Sequence, residues 1–157
     1  MKYVFALFVG GLVVGCFSEG DCLITATNQI HLQLKKRTNS AKDTLVTFNS
    51  ISISGGGTSA VPVTVHEFLL PLNIHSDSTL LVFNRANANS PDSILLGYTR
   101  QSKIITKECG AYTYFQNLKV LRTNLDSAQF KVFHTALLKD PTSSSVTAYA
   151  LNYQILY

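Results

Sequence analysis

Four histidines, three cysteines and a recurring Asp-Ser/Thr pair are the side chains of this 157-residue chain whose types and spacing could do chemistry. His66-Glu67-Phe68-Leu69-Leu70 opens like the zinc-protease HExxH motif, in which two histidines on one helix face bind the metal and the glutamate activates water. Leu70 stands where the second histidine is required, and the sequence around it reads as a strand, so no zinc site is expected. His31, His75 and His134 are isolated on strand-like or turn-like sequence. No Gly-x-Ser-x-Gly elbow presents a serine nucleophile. Gly55-Gly56-Gly57 is followed by Thr58-Ser59 instead of the Gly-Lys-Ser/Thr of a phosphate loop, and reads as a flexible loop. These absences argue against an enzyme and against any cofactor.

Cys16 closes Leu12-Val13-Val14-Gly15-Cys16, which resembles the lipobox of bacterial lipoproteins, where a small residue precedes a cysteine that is lipidated and becomes the new N-terminus. Lys2 and the apolar run Tyr3 to Val14 have the layout of a secretory signal. The run is shorter than the roughly 20 apolar residues that a spanning helix needs. No Ala-x-Ala-like site offers an alternative cleavage point, and Phe17 is a poor flank for one. The expected organisation is a signal peptide over residues 1–15, a lipidated tether over 16–22 and one domain over 23–157. Lipidation at Cys16 would supply at least two acyl chains, and at about 0.8 kcal/mol per buried methylene these anchor a protein stably. The expected location is the bacterial cell envelope, on the outer membrane, with the periplasmic and surface faces both open.

Cys22 and Cys109 remain. In an oxidising compartment such a leftover pair reads as a disulfide. Cys109 stands 87 positions after Cys22, and for a loop of that length the chain-entropy account gives about 4 to 5 kcal/mol of stabilisation. Neither cysteine has the CxxC spacing of a redox or metal pair. Removal of residues 1–15 leaves 12 basic and 9 acidic side chains, a net of +3. So mild and scattered a charge argues against nucleic acid as a partner. Lys35-Lys36-Arg37 is the one basic run and reads as a solvated edge or turn.

Four of the six aspartates after Cys16 begin an Asp-Ser/Thr-x triplet, with hydroxyls at Thr44, Ser78, Ser93 and Ser127. The triplets are similar to the acceptor motif for periplasmic O-glycosylation in Bacteroidetes. Asp-Ser is also ordinary turn chemistry, and each triplet stands where a strand begins. Tyr112, Tyr114 and Phe115, with Tyr149, Tyr153 and Tyr157 at the far end, could form an aromatic platform for sugar; sheet core is the competing role.

The elements that must hold these groups are strands. From Leu23 onward, apolar and β-branched runs of six to twelve residues alternate with Gly, Pro, Asn, Asp and Ser clusters, and no segment has sustained helical periodicity. Ile30, Leu32 and Leu34 alternate with His31, Gln33 and Lys35, predicting a strand with one buried face. Val46 and Phe48 share one phase and Ile51 and Ile53 the other, which predicts a bulge near Asn49 or Ser50. Leu80 to Phe83 are apolar on both faces and predict a strand covered from both sides. Further strands are expected over 68–72, 94–98, 103–106, 112–120, 129–138 and 145–157. Eight or nine short strands predict an all-β fold, an antiparallel, immunoglobulin-like β-sandwich, with a closed barrel as runner-up.

Taken in order, the lipobox, Cys22-Leu23, Asp92-Ser93-Ile94-Leu95-Leu96-Gly97-Tyr98, Glu108-Cys109-Gly110 and Asp126-Ser127 resemble a family of small two-cysteine Bacteroidetes lipoproteins classed as a domain of unknown function. That resemblance implies an envelope location and a disulfide, and carries no activity. The functions that then compete are a lipid-anchored, non-enzymatic module binding an envelope protein or glycan, a pilin-like subunit polymerising by strand exchange, and an envelope-polymer hydrolase.

Overall fold

The structure, a computed structural model, describes residues 24–55, 57–59, 62–107 and 109–157. Eleven strands run in chain order: β1 (Gln29–Lys36), β2 (Asn39–Asp43), β3 (Val46–Ile53), β4 (Gly57–Ser59), β5 (Val63–Val65), β6 (Glu67–Pro71), β7 (Ser78–Arg85), β8 (Asp92–Thr106), β9 (Gly110–Thr123), β10 (Phe130–Val132) and β11 (Leu151–Leu156). They form two sheets packed as a β-sandwich. One has the order β10-β11-β1, with β6 and β2 end to end along the other edge of β1. The second has the order β3-β7-β8-β9, with β5 and β4 end to end along the outer edge of β3. Eight of the nine pairings between these strands are antiparallel; the exception is β1 with β11, from opposite ends of the chain, which pair in parallel, as no hairpin could have produced.

The alternation in β1 is realised. Ile30, Leu32 and Leu34 are buried in the core, while the opposite face is a row of satisfied polar groups. His31 meets Glu67, Gln33 accepts from the Gln154 amide at 2.8 Å, and Lys35 Nζ donates to Asp43 at 2.6 Å. Across the layers Phe48 and Phe83 of one sheet meet Phe68 and Tyr157 of the other, with Phe48 at 5.8 Å from both Phe68 and Phe83. The β3–β7 register breaks between Phe48 and Ser50, where the phase flip placed a bulge.

Five expectations are corrected. Leu81 and Phe83 are core, but Leu80 and Val82 are only half-buried, because a two-layer sandwich leaves each sheet one solvent face. Lys35 is not a solvated edge: β1 lies inside its sheet and Asp43 neutralises the ammonium. The Asp43 carboxylate is held below its usual range, first by that hydrogen bond. Residues 129–138 keep only the three-residue β10, after a 3-10 turn over Ser127–Gln129. Residues 145–157 begin with a 3-10 turn over Val146–Ala148 before β11.

The fifth positions the candidate site. The separate strands expected over 94–98 and 103–106 are one strand of 15 residues, β8, paired with the 14-residue β9. Their first halves lie in the sandwich. From Thr99 onward β8 is largely exposed and the hairpin runs on as an arm. The register shifts where the arm leaves, between Gly97, opposite Lys119, and Thr99, opposite Gln116. Asn117 takes up the extra residue at φ 55°, a left-handed conformation that asparagine tolerates and β-branched residues do not. Asn117→Val should therefore cost about 1 to 2 kcal/mol more than Asn117→Gly in urea unfolding; equal midpoints would mean that the bulge is not strained.

The strand directions define two poles. The arm, the start of β1, the end of β3 and the turn before β7 share one; the β1–β2 turn, the 86–91 loop and the chain end share the other. At the arm pole Gly55, at φ +79°, lies so close to the Asn73 amide that a Cβ would collide with it. Asn73 Oδ1 in turn accepts from the His75 N–H, shaping the turn into β7.

Candidate functional site

A groove opens at the base of the arm. Its walls are the entry to β1 (Asn28, Gln29), Ile74 from the β6–β7 turn, Tyr112 from β9, and the facing residues Lys139 and Tyr149, and it encloses about 540 Å³. Lys139 and Tyr149 are bridged to each other, and the Lys139 N–H donates to the Thr25 carbonyl at 3.0 Å, so three separate chain segments meet there. The Lys139 ammonium lies 5.4 Å from the centre of the Tyr149 ring. On the other side of this Lys139–Tyr149 ridge a second depression of about 370 Å³ is bounded by Leu138, Asp140 and Ala148. Hydrogen bonds from the Thr142 hydroxyl and N–H hold the Asp140 carboxyl below its usual range. Tyrosine faces beside amide and hydroxyl side chains suit a ligand with both apolar and hydroxylated surfaces.

The structure divides the tyrosine candidates. Tyr112 and Tyr149 border the groove and Tyr114 stands on the arm, with Lys103 5.4 Å from its ring centre. Phe115 reaches the groove from the core, where it packs edge-on against Tyr98 at 5.5 Å. Tyr153 and Tyr157 belong to the interior. Tyr153 packs against Phe130 at 4.7 Å, and Tyr157 donates to Asp92 at 2.9 Å beneath the Arg85 guanidinium. Burial pushes the Tyr153 phenol up to about 12. Burial, then the Asp92 carboxylate, push Tyr157 up, and burial does the same for Tyr98. An unfolded phenol ionises near pH ~10. Folding is therefore favoured below that pH, and the advantage is lost as the pH rises through the folded values. The phenolate absorbance of these three should rise together with loss of the fold in an alkaline titration. Complete phenol ionisation ahead of unfolding would contradict their burial.

The histidines do not assemble a catalytic set. His31 is buried with Nδ1 at 3.1 Å from the Tyr149 carbonyl and Nε2 at 3.3 Å from Glu67, whose other oxygen lies 3.5 Å from His66. The sequence pairs Glu67 with His66; its closer tie to His31 arises only from the β1–β6 register, which sets Gln33 opposite Glu67 and His31 one diagonal away. Among the described residues no group of three His, Cys, Asp or Glu side chains is placed to hold a metal.

Each aspartate of the Asp-Ser/Thr triplets has a basic partner. Asp43 meets Lys35, Asp77 meets Arg100 at 2.8 Å, Asp92 meets Arg85 at 2.7 Å and Asp126 meets Arg37 at 3.6 Å. Of the four hydroxyl residues, Ser127 is exposed, whereas Thr44, Ser78 and Ser93 are half-buried. Cys109 is disulfide-bonded, and its partner lies outside the described residues, as do Cys16 and Cys22.

A family of unknown function, DUF6452, matches residues 50–137, more than half of the chain. The chain belongs to that family. The DUF6452 match covers the arm, Cys109 and the whole β7-β8-β9 layer, but not β1 or β11, around which the other sheet is built. More than half of the groove, including Asn28, Lys139 and Tyr149, likewise lies outside it. No curated protein and no solved structure matches the chain.

Proposed function

We propose that this DUF6452 protein is a bacterial lipoprotein, held on the outer membrane through lipidated Cys16, whose β-sandwich is a non-enzymatic module that binds an envelope protein or glycan. The observation that carries the binding role is the groove, where two tyrosines, an asparagine, a glutamine and a lysine from distant parts of the chain converge. The lipobox supports the anchor. In the native host, fatty-acid labelling of the protein is expected and should vanish in Cys16→Ala. Tyr112→Ala combined with Tyr149→Ala should weaken retention of an envelope protein or glycan by about tenfold or more in mild detergent, as for central aromatic anchors. Unchanged retention would move the binding role away from the groove.

A pilin-like subunit is the second reading, favoured by β1. This early strand is buried at Ile30, Leu32 and Leu34 between β11 and β6, and an exposed Arg37 follows it. Cleavage after Arg37 and strand exchange would replace β1 from a neighbouring copy. Host protein beginning at Thr38 and assembled in filaments would favour this reading; chains intact at Arg37 would exclude it.

A further inference from the structure

Ile104 near the end of the arm is, among the described residues, the most exposed of the large hydrophobics, at 80 %. Lys103 and Lys107 flank it, and Tyr112 and Tyr114 line the opposite strand. The arm from Thr99 to Gln116 carries no acidic residue among its described positions; with Glu108 counted it is still net positive. Arg100 is already engaged by Asp77 and by the Ile74 carbonyl. Lysine, tyrosine and an isolated aliphatic side chain together suit the headgroup layer of a bilayer: the cations meet phosphate, aromatic rings settle at the interface and the isoleucine enters the acyl boundary.

We propose that the end of the β8–β9 arm is a membrane-contact element, seated on the same bilayer that holds the lipidated Cys16. The inference rests on the lipoprotein reading and on Cys22 as the partner of Cys109. Cys22 stands only six positions after Cys16, so an extended chain allows at most about 21 Å between the lipid-bearing residue and the cysteine. A Cys22–Cys109 bond then keeps the arm end within that reach of the acyl chains. Ile104 lies opposite Ala111, two residues from Cys109, and shares this limit. The described chain also enters the domain at the arm pole, where residues 26–29 border the same groove as Tyr112. Two results follow: the arm pole faces the bilayer, and the opposite pole, with the 86–91 loop and Ser127, faces away from it.

The chain has no tryptophan, so a single introduced one reports without background. Ile104→Trp and, as a control, Leu45→Trp at the opposite pole, where Leu45 is 69 % exposed, would be made in the full lipidated protein. Each would be reconstituted into vesicles of phosphatidylethanolamine and phosphatidylglycerol, with and without brominated acyl chains. The expected result is a blue-shifted Ile104→Trp emission that bromine quenches, and a water-like Leu45→Trp emission that it does not. Adding Lys103→Glu and Lys107→Glu should weaken the quenching. Vesicle-floated protein in which both tryptophans remain water-like overturns the arm contact while leaving the lipid anchor standing. A blue shift that requires an added envelope protein instead assigns the arm to that partner and overturns the proposal. Protein that does not float overturns the lipoprotein reading, and the arm contact falls with it.

Discussion

Asn152→Ala is expected to lower stability by about 3 to 5 kcal/mol, a large share of the 5 to 15 kcal/mol typical of a domain. Asn152 is 1 % exposed, at the point where the parallel β1–β11 register slips between His31 and Leu32. The slip removes a backbone acceptor from His31, and the Asn152 Oδ1 replaces it at 2.9 Å. Its Nδ2 donates to the His134 and Ala136 carbonyls, each at 3.0 Å, and its own carbonyl accepts from Phe133 at 2.9 Å. One amide therefore joins the central strand, the last strand and the irregular segment after β10. Truncation leaves one buried donor and two buried acceptors to find water or go unpaired, at about 1 to 3 kcal/mol each before relaxation. Asn152→Asp separates this account from simple volume loss. A carboxylate keeps the acceptor but turns a second oxygen toward two carbonyls, so the variant should be as unstable as Asn152→Ala near neutral pH. Protonation restores one donor. The folded carboxyl is thus raised above the ordinary value of about 4, and the variant should regain stability as the pH falls through its folded value. Denaturant midpoints for the two variants across that range provide the check; parallel losses at every pH would mean that only packing was removed.

What the sequence reveals here follows from distance along the chain. The inward face of β1 and the bulge in β3 are written in alternation over a few residues, and both were legible at Ile30, Leu32 and Leu34 and at the phase flip after Phe48. Asp-Ser/Thr turns were equally local, although the basic partners of their aspartates were not: Asp126 finds Arg37 from 89 positions away. His31 looked isolated because its neighbours, Glu67 and the Tyr149 carbonyl, arrive through a register and a parallel pairing that no window of sequence contains. The same is true of the groove, which needs Asn28, Ile74, Tyr112 and Tyr149 from four regions. The arm was missed for another reason. Polar residues from Thr99 to Ser102 look like a turn between two short strands, but β8 beyond the sandwich is exposed on both faces there and needs no apolar alternation. Ladder hydrogen bonds and pairs such as Ser102 with Thr113, 3.2 Å apart, sustain it instead.

Cys109→Ser is expected to cost about 2 to 5 kcal/mol, and the three cysteines allow the cause to be isolated. The arm has little packing of its own beyond the hairpin ladder, so the bond at its end does more than close a loop: it ties an otherwise solvated structure to another part of the chain. Removing it should both lower the unfolding midpoint and accelerate tryptic cleavage at Lys103 and Lys107, which lie beside the disulfide in a segment exposed on both faces. If Cys22 is the partner, Cys22→Ser should match Cys109→Ser in both respects, and the double variant should be no worse than either, because both substitutions remove one bond. Cys16→Ser should leave the unfolding midpoint of the detergent-purified protein unchanged while abolishing fatty-acid labelling. The opposite pattern, with Cys16→Ser as costly as Cys109→Ser and Cys22→Ser harmless, would place Cys16 in the disulfide. A thiol consumed in a disulfide cannot also carry a thioether-linked lipid, so that one result would remove the anchor, the bilayer-facing arm and the envelope location together.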